Sequence, residues 1–130
     1  MIVDSSVIVA IVREEAEAAR FSTVLAQQSR PEMSAGNYLE AAIVIDRDRD
    51  PVLSAGLDAL LDNLGIGIAP VTEAQARIAR QAYRDFGKGS GHKAQLNYGD
   101  CFAYALAMER GEPLLFKGED FVHAGVARAG

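Results

Sequence analysis

Apolar residues along this chain fall into short blocks that alternate between two spacings. Met1-Ile2-Val3 is a continuous apolar run directly followed by Asp4, the pattern of a short buried strand. Val7 to Val12 is apolar at helical length and is expected to begin a helix that continues through Leu25. Pro31-Glu32-Met33 reads as a second short strand. Tyr38 to Ile45 is nearly all apolar, too long for an ordinary strand, and Ser34 precedes it as a potential cap, so a buried helix is predicted. Pro51 opens another helix, along which Leu53, Leu57, Leu60, Leu61 and Leu64 recur at helical spacing. Ile66 to Val71 predicts a strand, and Thr72-Glu73-Ala74-Gln75 a capped helix start running to about Phe86. Gly87 to Gln95 is a glycine-rich loop, Asn97 to Arg110 a helix stopped by Gly111, and Pro113 to Phe116 a last strand.

Short apolar strands alternating with helices imply a mostly parallel sheet covered on both faces, a three-layer α/β/α sandwich. Sites in such sheets lie beyond the carboxyl ends of the strands, which makes the residues following each strand the first to inspect. Neither a repeat nor a linker divides the chain, and its 130 residues are expected to form one unit over 1–130.

Composition changes this picture little. Hydrophobic residues at 49% and charged residues at 24% suit a globular core with a polar surface. The start lacks the basic and long apolar stretches of a signal peptide, and the single Cys101 excludes an internal disulfide, so a cytoplasmic location and no membrane association are expected. The net charge of −5 counts against a nucleic-acid partner, but its distribution does not. Between residues 77 and 93, Arg77, Arg80, Arg84, Lys88 and Lys93 face only Asp85, a local excess of four positive charges. Arg77, Arg80 and Arg84 share a helical face, and the loop with Lys88, His92 and Lys93 can offer cations and amides to phosphate. A solvated helix face with a mobile loop explains the same residues. No Gly-Lys-Ser/Thr phosphate loop is present.

Four acidic positions stand in apolar company. Asp4 follows the first strand, where it serves equally well as a helix cap or as a site carboxylate. Glu40 is a lone charge within Tyr38-Leu39-Glu40-Ala41-Ala42-Ile43-Val44-Ile45, either at a solvated edge or held by a partner. Asp100 can close a capping box with Asn97, or sit as a ligand at the first turn of a buried helix. Glu119-Asp120 follows the last strand through Lys117-Gly118, as a solvated loop or as part of the same edge. A parallel sheet brings these places together. Clustered carboxylates repel unless a cation satisfies them, and oxygen donors without His or Cys favour Mg²⁺, with Mn²⁺ as a substitute, over zinc.

At this point the motifs resemble a known family. Asp4-Ser5-Ser6-Val7-Ile8-Val9-Ala10 is similar to the opening segment of PIN-domain toxins of the VapC type, and Tyr38-Leu39-Glu40-Ala41 to their second acidic motif. His92 through Ala107 resembles the third motif over many consecutive positions, and Leu114 through Phe121 the fourth. The likeness spans the whole chain, and its third motif is highly specific.

The resemblance implies a PIN-like fold and a metal-dependent endoribonuclease, the toxin of a type II toxin–antitoxin pair. Asp4, Glu40, Asp100 and Asp120 would form the catalytic metal site, with Ser6 and Asn97 as polar groups behind it. The substrate would be RNA, contacted by Arg84, Lys88, His92 and Lys93, and the partners a cognate antitoxin of the VapB type and a second copy of the chain. The leucine-rich helix Leu53 to Leu64 offers apolar surface for such docking. Two departures stand out. Gln95 occupies a position where the family often has arginine, and Glu119 competes with Asp120 for the fourth acid.

Two other classes share part of the pattern. A phosphatase with an aspartyl nucleophile needs a second Asp two positions after the first, where Ser6 stands. A receiver-like, flavodoxin-shaped binding domain would hold Mg²⁺ without cleaving anything.

Overall fold

The computed structural model describes residues 1–130. Its elements, in chain order, are β1 (Ile2–Val3), α1 (Ser5–Val12), α2 (Ala18–Ala26), β2 (Glu32–Ser34), α3 (Ala35–Asp46), α4 (Pro51–Leu64), β3 (Gly67–Ala69), α5 (Glu73–Phe86), α6 (Tyr98–Arg110) and β4 (Leu114–Leu115). The strands form one sheet in the order β3-β2-β1-β4, every pair parallel.

Alternation along the strands makes the three layers. Successive side chains on a strand point to opposite faces. Ile2 joins a core with Leu106, Phe116 and Phe121, whereas Val3 joins a second core with Ile8, Phe21 and Met33. Leu114 and Leu115 divide in the same way. All four residues of β1 and β4 are at most 1% exposed, and burying each such side chain contributes about 1.5–3 kcal/mol. Around β1 and β4 the sheet is therefore covered on both faces, as the continuous apolar runs predict, whereas Ile68 in the edge strand β3 is exposed.

Capping chemistry sets the helix ends. Asp50 caps α4 ahead of Pro51, and Thr72 accepts a hydrogen bond from the Gln75 amide at 3.1 Å to start α5. Ser34 accepts from the Gly36 amide at 3.2 Å, so α3 starts at Ala35 rather than at Tyr38. Gly111 ends α6 in the left-handed region, at φ 64°.

Three expectations are corrected. The first helix does not continue to Leu25: it stops at Val12, and α2 starts at Ala18. The intervening Glu14, Glu15 and Glu17 have no apolar face to bury, and Lys117 holds Glu15 at 2.6 Å and Glu17 at 3.2 Å. Nor is α3 buried all round. Asn37, Ala41 and Ile45, four residues apart, form its inner face, while Leu39 and Ile43 are 58% and 51% exposed. The leucines of α4 are largely spent on the core, with Leu57 and Leu61 buried and Leu60 and Leu64 packed against them. No helix is long and apolar enough to cross a membrane.

Candidate metal centre

The strand order reverses at β1, whose neighbours are β2 on one side and β4 on the other. At such a switch point the loops after adjacent strands part and leave a crevice. There a cavity of about 310 Å³ is lined by Asp4, Glu40, Asp100 and Asp120, together with Ser6, Asn97 and Lys117. The four acids come from four separate places: the end of β1, the middle of α3, the first turn of α6 and the loop after β4.

Cap and site turn out to be one arrangement. Asp4 Oδ2 accepts from the Ser6 amide at 3.0 Å and so caps α1, while Oδ1 is buried without any hydrogen-bond partner. At Asp100 the capping box is complete: Asn97 N–H donates to Oδ2 at 2.9 Å, and Asp100 N–H donates to Asn97 Oδ1 at 2.9 Å. That leaves Oδ1 of Asp100 uncommitted by capping. Each carboxylate thus fixes its own direction with one oxygen and keeps the other. A buried oxygen without a donor is costly unless a ligand satisfies it.

Glu40 is held by a partner rather than left in solvent. Ser5 Oγ donates to Glu40 Oε1, and Asn37 Nδ2 donates to the same oxygen at 3.3 Å. Asn37 Nδ2 also donates to the carbonyl of Gly99 at 2.9 Å, a buried bond that ties α3 to the start of α6. A side chain at Gly99 would overlap the Glu40 carboxylate, so glycine is required for this close approach. Ser5 and Asn37 escape a search for acids alone. The available signal was Asn37 as a polar residue one turn before Glu40 in an otherwise apolar segment.

Burial and mutual repulsion shape the electrostatics. Asp4 is pushed up to about 6, first by burial and then by the charge of Glu40, against the hydrogen bonds from Ser6. Asp100 is pushed up to about 7 by burial, with the charges of Asp4, Asp120 and Glu40 adding and the Asn97 amide opposing. Three acids at once raise the affinity of Asp100 for a proton, which places Asp100 within the fields of the other three. In this arrangement they do not converge as three or more ligands around one point. The donor set is nevertheless all oxygen, and the unpaired Asp4 Oδ1 lies among it, so hard divalent ions suit the cavity and zinc does not.

The remaining expected residues distribute unevenly. Ser6 Oγ accepts from the Lys117 amide at 3.0 Å, fastening the loop after β4 to α1. Asp120 lines the cavity and Glu119 does not. Cys101 is buried, donates to the Asn97 carbonyl at 3.3 Å and has its thiol pushed up to about 11, which removes it as a nucleophile. Arg84 and Lys88 line a second, neighbouring groove, whereas His92 and Lys93 line neither cavity. His92 instead accepts from the Ala94 amide at 3.0 Å and packs edge-on against Phe86. Gln95 adopts φ 52° and lines neither cavity. Arg77 pairs with Glu73 one turn back at 3.2 Å, both side chains exposed, and lines neither cavity.

Residues 1–127 match the PIN domain family. The chain belongs to the PIN-domain family. Ribonuclease VapC28 of Mycobacterium tuberculosis is 56% identical over 129 residues, covering 99% of this chain and 97% of that protein. Among solved structures, VapC20 of M. tuberculosis, described as a sarcin–ricin-loop-cleaving toxin, superposes with a TM-score of 0.76 at 17% identity, covering 98% of this chain and 97% of that one. VapBC2 from Rickettsia felis, solved bound to a DNA fragment from its promoter, gives a TM-score of 0.75 at 12% identity over 98% of this chain and 94% of that chain. This PIN domain shares with them the fold that brings its acids to the switch point.

Proposed function

We propose that this PIN-domain protein is a metal-dependent endoribonuclease, the toxin of a type II toxin–antitoxin pair, acting in the cytoplasm through one nuclease unit over residues 1–130. One observation carries the reading. Asp4, Glu40, Asp100 and Asp120, from four distant chain segments, line one cavity, beside a Glu15 already paired with Lys117, in a chain 56% identical to a VapC ribonuclease over nearly its full length. A non-catalytic metal-binding domain is disfavoured by the same identity.

In this reading Asp4, Glu40, Asp100 and Asp120 hold Mg²⁺, with Mn²⁺ as substitute. When bound, the ion activates water and offsets charge on the departing oxygen of the phosphodiester. The chain's own work is positional. The Ser6 amide and the Asn97 box hold Asp4 and Asp100 by one oxygen each, while Ser5 and Asn37 aim Glu40. Arg84 and Lys88, which line the neighbouring groove, supply phosphate contacts, whereas the positions of His92 and Lys93 outside both cavities do not support that role for them. A second copy of the chain is a natural partner.

The antitoxin should insert an arginine or lysine into the acidic cavity. Expression of the chain alone should arrest growth, and co-expression with a small neighbouring reading frame should relieve the arrest and yield a co-purifying complex. Harmless expression at high level, with nothing co-purifying, would contradict the toxin reading.

The raised acids give a pH prediction. Asp4 and Asp100 bind protons more tightly folded, at about 6 and about 7, than unfolded, near the ordinary Asp value of about 3.9. Their contribution to stability is complete below pH ~4 and is lost as pH rises through those folded values. Protons and Mg²⁺ compete for the same oxygens. Saturating Mg²⁺ should therefore raise the melting temperature more at pH 8 than at pH 5.5. Equal shifts at the two pH values would place the ion elsewhere.

A further inference from the structure

The acidic cavity has a larger neighbour. A groove of about 730 Å³ runs between α5 and α6, and Asn97 lines both it and the acidic cavity, so the two adjoin at that residue. Arg80, Arg84 and Lys88 lie along one wall and no carboxylate lines it. None of these three cations is neutralised by an ion pair within the chain. Two aromatic rings complete the groove. Tyr98 is 79% exposed and is braced edge-on by Phe102 at 4.9 Å, and Tyr83 is 47% exposed and fixed by donating to the Lys88 carbonyl at 3.1 Å.

Resting on the nuclease reading above, we infer that this groove is the path of an unpaired RNA strand, with a base stacked on Tyr98 and its flanking phosphates on Arg80, Arg84 and Lys88. A cavity rich in carboxylates repels a polyanion, and its one cation, Lys117, is already paired with Glu15 and Glu17, so a strand reaching it needs other cations close by, which the wall of this groove supplies. Exposed aromatic rings beside free cations are the chemistry of single-strand binding, because every base has a face to stack and only unpaired bases present it. Paired RNA keeps its bases inside the helix and cannot use Tyr98. The groove therefore selects for an unpaired segment beside the scissile bond.

The test uses the full-length chain carrying Asp100→Asn, with Mg²⁺ present, so that RNA is bound without being cut. Affinity is measured for a labelled single-stranded RNA, for an abasic strand of the same length and for a duplex of the same sequence. Adding Tyr98→Ala should weaken single-strand binding by about 5- to 150-fold, the range for loss of one stacked base. Tyr98→Phe should restore it, and the abasic strand and duplex should respond to neither change. Replacing Arg80 and Arg84 with alanine should weaken the intact and abasic single strands alike and flatten the salt dependence. Unchanged single-strand affinity with Tyr98→Ala, or equal losses on the abasic strand, overturns the inference. So does a dimer that Tyr98→Ala converts to monomer in sedimentation, which would give the groove to a second copy. Cleavage by the wild-type chain tests the nuclease reading separately: active enzyme with Tyr98-insensitive binding sinks only the groove.

Discussion

Asp100→Asn is expected to abolish RNA cleavage while leaving the fold intact, a loss on the order of 100-fold or more. Substituting a group that merely supports a metal ligand already costs about 10–100-fold, and Asp100 is proposed as a ligand itself. The fold should survive because asparagine can still accept the Asn97 amide that Asp100 Oδ2 accepts at 2.9 Å. Without metal the variant should melt no lower than wild type, since a carboxyl pushed up to about 7 by burial and by three neighbouring acids has been neutralised. Mg²⁺ at about 100 times its dissociation constant should add roughly 2.7 kcal/mol to the wild type, several degrees of melting temperature, and much less to the variant. If Asp100 served only as the far half of a capping box, the outcome would be the reverse. Stability would fall by up to about 1 kcal/mol, with the metal response and cleavage near normal.

Gly99→Ala is expected to be nearly as damaging to activity, although glycine carries no chemistry. The added methyl overlaps the Glu40 carboxylate, which must leave its place between Ser5 and Asn37. Because the displaced group is the end of a flexible side chain, the fold should tolerate the change. The cost of stranding Ser5 and Asn37 is partly offset by the ~0.4–1 kcal/mol that Gly→Ala commonly contributes in a helix. Cleavage should fall by about 10–100-fold, the range for disturbing the support of a metal ligand. A double-mutant cycle identifies the cause. In a Glu40→Ala background, Gly99→Ala should cost little more, because both changes remove the same carboxylate. Additive losses would show that Gly99 acts through something other than Glu40.

Much of this was legible in the sequence because it is local. Two-residue strands such as Ile2–Val3 announce themselves by being apolar on both sides, and the caps Ser34, Thr72 and Asn97 lie within three residues of the amides they serve. The four acids were legible because each stands where apolar neighbours or a strand end makes a charge conspicuous. What escaped depends on distant partners. The break after α1, where Glu14 takes φ 53°, is accompanied by Glu15 and Glu17 meeting Lys117, about a hundred residues later, a contact no local periodicity carries. The outward stripe of Leu39 and Ile43 was hidden because α3 is apolar on nearly every side, so hydrophobicity alone could not say which face turns inward. Asn37 was missed for a related reason. Its importance lies in the Gly99 carbonyl it reaches across to, 62 residues away. The choice between cap and ligand at Asp4 and Asp100 was unresolvable from sequence because a carboxylate has two oxygens and the alternatives are compatible.

The central claim is that these carboxylates hold a divalent ion for RNA hydrolysis. It is tested most directly by following cleavage of a single-stranded RNA by the purified wild-type chain, first with Mg²⁺, then with excess EDTA, then with Mg²⁺ restored in excess of the chelator. Cutting should stop with EDTA and resume with the metal, and Asp100→Asn should show it under none of the three conditions. Cleavage that persists in EDTA, or that Asp100→Asn retains in full, would contradict it.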